Sequence, residues 1–288
     1  MARIVVVGPG AVGGAIAAWL LKGGHQVLLA ARTQYAELQV ATPSGELSFT
    51  PQYVGRSEQT SADWILFATK AYDTLEARDW LSCVDPTTVK VAILQNGVEH
   101  TRYFKGMIAA DQLLPVVVDL PAERDQAGHV LQRKTGQLWV ENHGLGRQFQ
   151  ELFAGSAGVR IEYVESFAFA AWRKLSLNAA GAVSAVTLIP AKIAQNHSAA
   201  QLISDIVREC MAVAAAEGVD LPENLPDEVV QHYRNSAPDS INSLHADRLA
   251  GRQMEVDARN GVICRLGKRH GISTPINELI VRLLESTR

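Results

Sequence analysis

Gly8-Pro9-Gly10-Ala11-Val12-Gly13 is a G-x-G-x-x-G turn set between an apolar run and an Ala/Leu-rich stretch. Nothing else in the chain restricts its fold as much. A glycine pattern this short arises easily by chance, so its surroundings decide its meaning. Residues 3–7, Arg-Ile-Val-Val-Val, read as a buried strand, and residues 11–22 read as a helix closed by Gly23-Gly24. A strand, glycine turn and helix within one unit of about 30 residues is the setting that makes the pattern specific. There Gly8 permits a tight turn and Gly10 lets the backbone approach a pyrophosphate lying on the helix N-terminus. Gly13 lets helix and strand pack closely, and Pro9, Ala11 and Val12 complete a dinucleotide-binding turn. The alternative is a structural glycine turn in some other α/β fold.

Beyond the turn the pattern continues. Runs at 27–31, 64–68 and 89–94 are apolar, β-branched or both, and helical stretches separate them. Such alternation predicts right-handed βαβ units and a parallel sheet covered on both faces. Further strands are expected at 113–119 and 137–141, after which strand signals fade. Long helical patterns then occupy 168–188, 199–217, 226–235, 242–270 and 275–285, with Thr274-Pro275 well suited to start the last one. The reading is an α/β chain: a Rossmann-type doubly wound sheet over 1–165, an all-α second domain over 166–288, and the active cleft between them. A length of 288 residues suits two domains. Residues 167–189 are mostly apolar, but Arg173, Lys174 and Asn178 interrupt them. A charge at that depth costs about 3 kcal/mol on insertion scales, so a membrane span is rejected. The net charge of −3 argues against a nucleic-acid partner. Three scattered cysteines point to a reducing compartment, read as the cytoplasm.

The second strand selects the dinucleotide. An acid at its end would accept from the adenosine ribose hydroxyls, but Leu28-Leu29-Ala30-Ala31-Arg32-Thr33 has none. Arg32, 19 residues after Gly13, can bind a 2′-phosphate through charge-assisted hydrogen bonds, which makes NADP(H) the expected cofactor. The alternative is a solvated surface arginine. Lys70 and Asn96 follow two other apolar runs, at the strand ends where doubly wound sheets bind ligands. Lysine there suits a phosphate or ribose, and asparagine suits nicotinamide or substrate. Each could equally be a solvated loop residue.

In the helical half, Lys174 stands in an apolar stretch with Asn178 one turn along the same face. Hydride transfer to a carbonyl leaves negative charge on oxygen, and an ammonium can donate the proton. The alternative is a surface lysine paired with an acid, the role expected of Arg173. Glu255 and Asp257 compete for a carboxylate role, on different faces of the expected helix. Ser243 reads either as a ligand for a substrate carboxylate or as a helix N-cap. The eight histidines lack metal-ligand spacing, so no metal is expected and His245 is read as a surface residue.

These residues resemble the ketopantoate reductase family. The resemblance rests on the glycine turn, Thr69-Lys70-Ala71, Gln95-Asn96-Gly97, Lys174–Asn178, Glu255–Gly261 and 265–275, in order along essentially the whole chain. It implies NADPH-dependent reduction of a small 2-oxo acid to a 2-hydroxy acid, in the first instance ketopantoate to pantoate. It further implies Lys174 as general acid, Glu255 orienting lysine and substrate, and Asn96, Asn178 and Ser243 lining the substrate site. Two positions depart from the family pattern: Ala182 and Ser240 stand where an asparagine is usual. An altered pocket reading a different 2-oxo acid therefore stays open. So do a non-catalytic NADP(H) sensor, an opine-type dehydrogenase, and either a monomer or a homodimer.

Overall fold

The computed structural model describes residues 1–287 and separates into two compact units, Met1–Phe167 and a second from Ala168 onward. The first unit opens with β1 (Arg3–Val7), α1 (Ala11–Lys22) and β2 (Gln26–Ala30). Strands β3 (Leu38–Thr42), β4 (Gly45–Phe49), β5 (Gln52–Tyr53) and β6 (Trp64–Phe67) follow. A short helix α2 (Thr74–Ala77) precedes β7 (Lys90–Leu94), β8 (Leu113–Asp119), β9 (Ala122–Gln126), β10 (His129–Gln132) and β11 (Gly136–Glu141). Helix α3 (Gly144–Glu151) and β12 (Val159–Val164) complete the unit. The six strands expected from sequence are all present, with ends shifted by at most one residue.

The main sheet runs β12-β11-β8-β7-β6-β1-β2-β5. Every pairing from β5 to β8 is parallel, while β11 joins β8 antiparallel and β12 runs parallel to β11. The order β5-β2-β1-β6-β7-β8 is that of a doubly wound dinucleotide fold, which binds ligands outside the strand carboxyl ends where the order reverses. Its physical origin is visible in β1. Ile4 and Val6 enter one core layer, Val5 and Val7 the other. Successive side chains point to opposite faces, so a strand covered on both sides reads as an unbroken apolar run.

A second sheet, β4-β3-β10-β9, has no counterpart among the strands expected from sequence. It packs on the far side of α1, leaving Gly13 through Leu20 buried all round that helix. Gly14 makes the close approach possible, because a Cβ there would lie 3.0 Å from Val130 Cγ2. The polar handle of Trp19 is satisfied inside this layer: its indole N–H donates to Gln132 Oε1 at 2.7 Å. The Gln132 amide in turn donates to the Gly158 carbonyl at 2.6 Å.

The second unit is helical: α4 (Phe167–Ala180), α5 (Ala182–Thr187), α6 (His197–Ala216), α7 (Leu225–Asn235), α8 (Ser243–Leu249), α9 (Val262–His270) and α10 (Pro275–Glu285). Two helices expected to be continuous are broken. The 168–188 stretch divides at Gly181, where the Tyr233 hydroxyl donates to the Leu177 carbonyl at 2.8 Å and Asn242 Nδ2 to the Gly181 carbonyl at 2.9 Å. Side chains inserted into the carbonyl ladder are a recognised cause of kinks. The 242–270 stretch divides more deeply. After α8 the chain leaves helical geometry and re-enters it through a single π-turn, Asp257–Gly261, in which the Gly261 N–H reaches back to the Val256 carbonyl at 3.0 Å.

Helix α10 starts where expected, with Thr274 at the N-cap position and Pro275 in the first turn, but its N–H groups are capped from another helix. Thr274 occupies the N-cap position without a side-chain bond to the helix. The carboxylate of Glu209, on α6, accepts from the backbone N–H groups of Ile276 (2.8 Å) and Asn277 (2.9 Å) instead. A negative group at a helix N-terminus is stabilising, and this one also ties α10 to α6.

Candidate active site

The glycine turn has the geometry a dinucleotide requires. Gly8 has φ +79°, and a Cβ on it would lie 2.4 Å from Thr69 Cγ2. A Cβ on Gly13 would come within 2.3 Å of the Gly8 carbonyl oxygen, so helix and strand could not close around anything larger. A Cβ on Gly10, by contrast, would meet no atom within 4 Å, which leaves open the approach a pyrophosphate needs. Helix α1 starts with no side-chain cap and no acid in its first turn. Its first N–H groups and dipole favour an anion there. These residues fit a bound dinucleotide.

The rim around the turn is built from neighbouring strand ends. The Gly8 N–H donates to the Ala30 carbonyl at 3.1 Å, which joins the turn to the end of β2. Arg32 lies two residues further on with its side chain 66% exposed. The local sequence carries no acid at this strand end, but the fold brings two alongside. Arg32 pairs with Asp73 at 3.2 Å and Glu76 at 3.6 Å, and Arg56 holds Glu76 at 2.7 Å. The hydrogen bond from Arg56 keeps the Glu76 carboxyl below the usual carboxylate range. Exposed pairs of this kind contribute about 0–1 kcal/mol, less than the roughly 1.5–3 kcal/mol of a charged hydrogen bond. A phosphate can therefore draw Arg32 away from them.

Lys70 and Asn96 flank a buried amide whose part the sequence did not disclose. The two N–H groups of Gln95 Nε2 face three acceptors, the Thr69 carbonyl (3.1 Å), Thr69 Oγ1 (3.0 Å) and Thr74 Oγ1 (2.9 Å), tying the ends of β6 and β7 together. The backbone carbonyl of Gln95 faces His100 Nε2 at 2.7 Å, and burial pushes that imidazole down to about 4. Lys70 itself is half-buried just before a 3-10 turn, Ala71–Asp73, and Gly97 after Asn96 has φ +107°.

In the helical unit, Lys174 and Asn178 are both half-buried on α4, four residues apart. Glu255 is buried, but it lies in the non-helical chain before the π-turn, so its orientation does not follow helix periodicity. Asp257 is exposed and pairs with Arg265 at 2.6 Å, while Arg173 is the expected surface charge, 2.9 Å from Glu228. Ser243 is not the N-cap of α8. Asn242 is, accepting from Leu244 N at 3.0 Å and His245 N at 3.1 Å. That frees the exposed Ser243 hydroxyl, which accepts from Arg259 Nη2 at 2.7 Å. The other terminal nitrogen of Arg259 faces the Asn178 carbonyl at 3.5 Å. The fold thus brings Asn178, Ser243 and Arg259 together. Arg259 lies within the Glu255–Gly261 run, yet residue type and spacing assigned it no role. Nothing in the sequence set it apart from the other surface-type cations, because its burial appears only in the fold.

One further expectation fails: His245 is 1% exposed and is not a surface residue. Its Nδ1 lies 2.7 Å from the Ser184 hydroxyl, and desolvation lowers its pKa.

The chain matches the family model described as ketopantoate reductase PanE/ApbA over residues 4–144, and that family's C-terminal model over residues 167–287. A 2-dehydropantoate 2-reductase from Caulobacter vibrioides is 50% identical over 288 residues, spanning 99% of each chain. The chain belongs to the ketopantoate reductase family. A 2-dehydropantoate 2-reductase of Mycobacterium tuberculosis is 36% identical over 284 residues, covering 98% of this chain and 96% of that one. Among solved structures, the PanE/ApbA family ketopantoate reductase of Ralstonia eutropha superposes with a TM-score of 0.89 at 30% identity, covering 99% of this chain and 98% of that one. The two departures from the ketopantoate reductase pattern have concrete settings here. Ala182 is fully buried at the start of α5, and the backbone carbonyl of Ser240 accepts from Ala191 N at 2.9 Å. Among the described residues, no helix is long and apolar enough to cross a membrane.

Proposed function

We propose that this chain is a 2-dehydropantoate 2-reductase that reduces ketopantoate to pantoate with NADPH. The 50% identity over 99% of both chains to a protein of that name carries the reading. Bound NADPH supplies the hydride that reduces the 2-oxo carbon. The glycine turn and the first N–H groups of α1 hold the pyrophosphate, Arg32 binds the 2′-phosphate, and Lys70 meets a phosphate or ribose. Lys174 donates a proton to the carbonyl oxygen as negative charge develops on it. Glu255 orients that ammonium and the substrate. Asn96 and Asn178 hydrogen-bond the substrate, and the Ser243 hydroxyl binds its carboxylate. Support for these roles comes from the open cradle at Gly10, the shared face of Lys174 and Asn178 on α4, and the freedom of Ser243 from capping. A cytoplasmic location is part of the proposal, supported by the free thiols Cys83, Cys210 and Cys264.

A second reading, the same chemistry on another 2-oxo acid, is favoured by Ala182 and Ser240. Loss of one partner for a buried polar group costs about 1–3 kcal/mol, or one to two powers of ten in affinity. Steady-state kinetics on a panel of 2-oxo acids, each with NADPH and NADH, separates the two. Ketopantoate with NADPH is expected to give the highest kcat/KM. A smaller 2-oxo acid outperforming it would establish the second reading. Lys174→Ala should lower kcat by about 10²–10⁴-fold while NADPH still binds, as read by fluorescence titration. Absence of turnover with every 2-oxo acid, with NADPH binding intact, would indicate a cofactor sensor instead.

A further inference from the structure

Arg259 is a cation inside the helical unit, 2% exposed and packed beneath Ser243 and Asn178. A guanidinium stays charged at any accessible pH and offers five donors. The fold gives this one little in return. Nη2 has the Ser243 hydroxyl at 2.7 Å, Nη1 has only the Asn178 carbonyl at 3.5 Å, and the buried Nε has no partner. Among the described residues no carboxylate pairs with it. Asp257, two positions away, is turned outward to Arg265. Tyr233 is the neighbouring ionisable group; burial raises its pKa, and as a neutral hydroxyl it donates to the Leu177 carbonyl. A buried charge left this incompletely satisfied is costly, and groups of this kind are found paired or coordinating a ligand.

The Arg259–Ser243 bond has only one possible direction. An arginine only donates, so Ser243 Oγ accepts, and its own O–H is left to donate elsewhere. Ser243 is exposed, so that proton can face a ligand. We infer that Arg259 is a positioning residue for an anionic substrate. It holds the Ser243 hydroxyl as a donor, and its uncompensated charge, one hydrogen bond behind, attracts the carboxylate of the 2-oxo acid. This inference rests on the 2-oxo acid reading and adds to it the origin of selectivity for the acid over a neutral analogue. The ligand class it requires is a carboxylate placed against Ser243, and the charge acts on binding and not on hydride transfer.

The test compares one 2-oxo acid with its uncharged methyl ester, using NADPH and the full-length enzyme. Arg259→Met is expected to raise KM for the acid by about 10–100-fold, the range for a hydrogen bond involving a charged group. The kcat for the acid, kcat/KM for the ester and KM for NADPH should each stay within about threefold. Arg259→Lys should recover part of the acid preference, since it restores the charge. A merely structural arginine would instead lower kcat/KM for acid and ester together, and that result overturns the proposal. If Arg259→Met does not fold, Ser243→Ala, at an exposed position, reads the same quantity. An acid-to-ester ratio unchanged from wild type in Ser243→Ala also overturns it. Wild-type enzyme that turns over no 2-oxo acid removes the functional reading and this inference with it. Normal turnover with unaltered selectivity in the variants removes the inference alone.

Discussion

Arg32 shows how far one side chain can be interpreted before its neighbours are known. Its place after β2, with no acid in the local sequence, pointed to a 2′-phosphate. The fold then placed Asp73 and Glu76 beside it, from a segment some 40 residues away. Those exposed pairs are weak and screened by salt, so the guanidinium remains available to a dianionic phosphate. Arg32→Asp should raise KM for NADPH by about 10–100-fold and leave KM for NADH nearly unchanged, as steady-state kinetics with both cofactors would record. An unchanged NADPH/NADH preference would remove Arg32 from the cofactor site. Ser243 and His245 carry the complementary lesson. Both lie near the start of α8, yet Asn242 caps that helix, Ser243 meets Arg259, and His245 is buried against Ser184. Residue type and spacing could not divide those roles, because the partners of Ser243 and His245 come from other elements.

Helix α1 of the first unit and the π-turn of the second each carry or adjoin candidate site residues, and both owe their form to neighbours within their own unit. A surface helix would present one apolar stripe, whereas α1 is apolar on every side because sheets lie on two of its faces. Its small residues permit that sandwich, and Trp19 fills the space beside Gly158. A Cβ at Gly158 would fall 2.1 Å from the indole ring, which is fixed by its bond to Gln132. Gly158→Ala should therefore destabilise the fold by about 3 kcal/mol and lower Tm by about 5–10 °C in thermal unfolding. A variant melting within about 1–2 °C of wild type would show that the ring can shift. The π-turn was hidden inside a helical periodicity running from 242 to 270. Its extra residue per turn carries Arg259 and Asn260 into the interior, where Asn260 Nδ2 bonds the Ala179 carbonyl and Asn277 Oδ1. Single π-turns of this kind occur often at functional sites.

For the folded chain as a whole, His100 predicts how stability responds to acid. It is buried, held against the Gln95 carbonyl, and its pKa falls from 6.5 to about 4. Between those values the unfolded chain binds a proton that the native state excludes, so stability rises with pH. The contribution is fully present above about pH 6.5 and is lost as pH falls towards 4, amounting to roughly 3 kcal/mol. Chemical denaturation at several pH values should show this acid limb, and His100→Gln, which keeps a donor but does not titrate, should flatten it. The doubly wound sheet and the glycine turn were legible in the linear chain because their determinants are local. An apolar run bounded by a turn specifies a buried strand, and a glycine pattern specifies a backbone path. The second sheet was not legible, since strands such as Ala122–Gln126, with Glu123, Arg124, Asp125 and Gln126 exposed, carry no apolar alternation. Nor were the helix breaks, or the setting of Arg259. Those depend on pairs such as Trp19–Gln132, Ser184–His245 and Asn178–Arg259, separated by 113, 61 and 81 residues. Local patterning decides which backbone segments can form; only the folded interior decides which polar groups must find each other once water is gone.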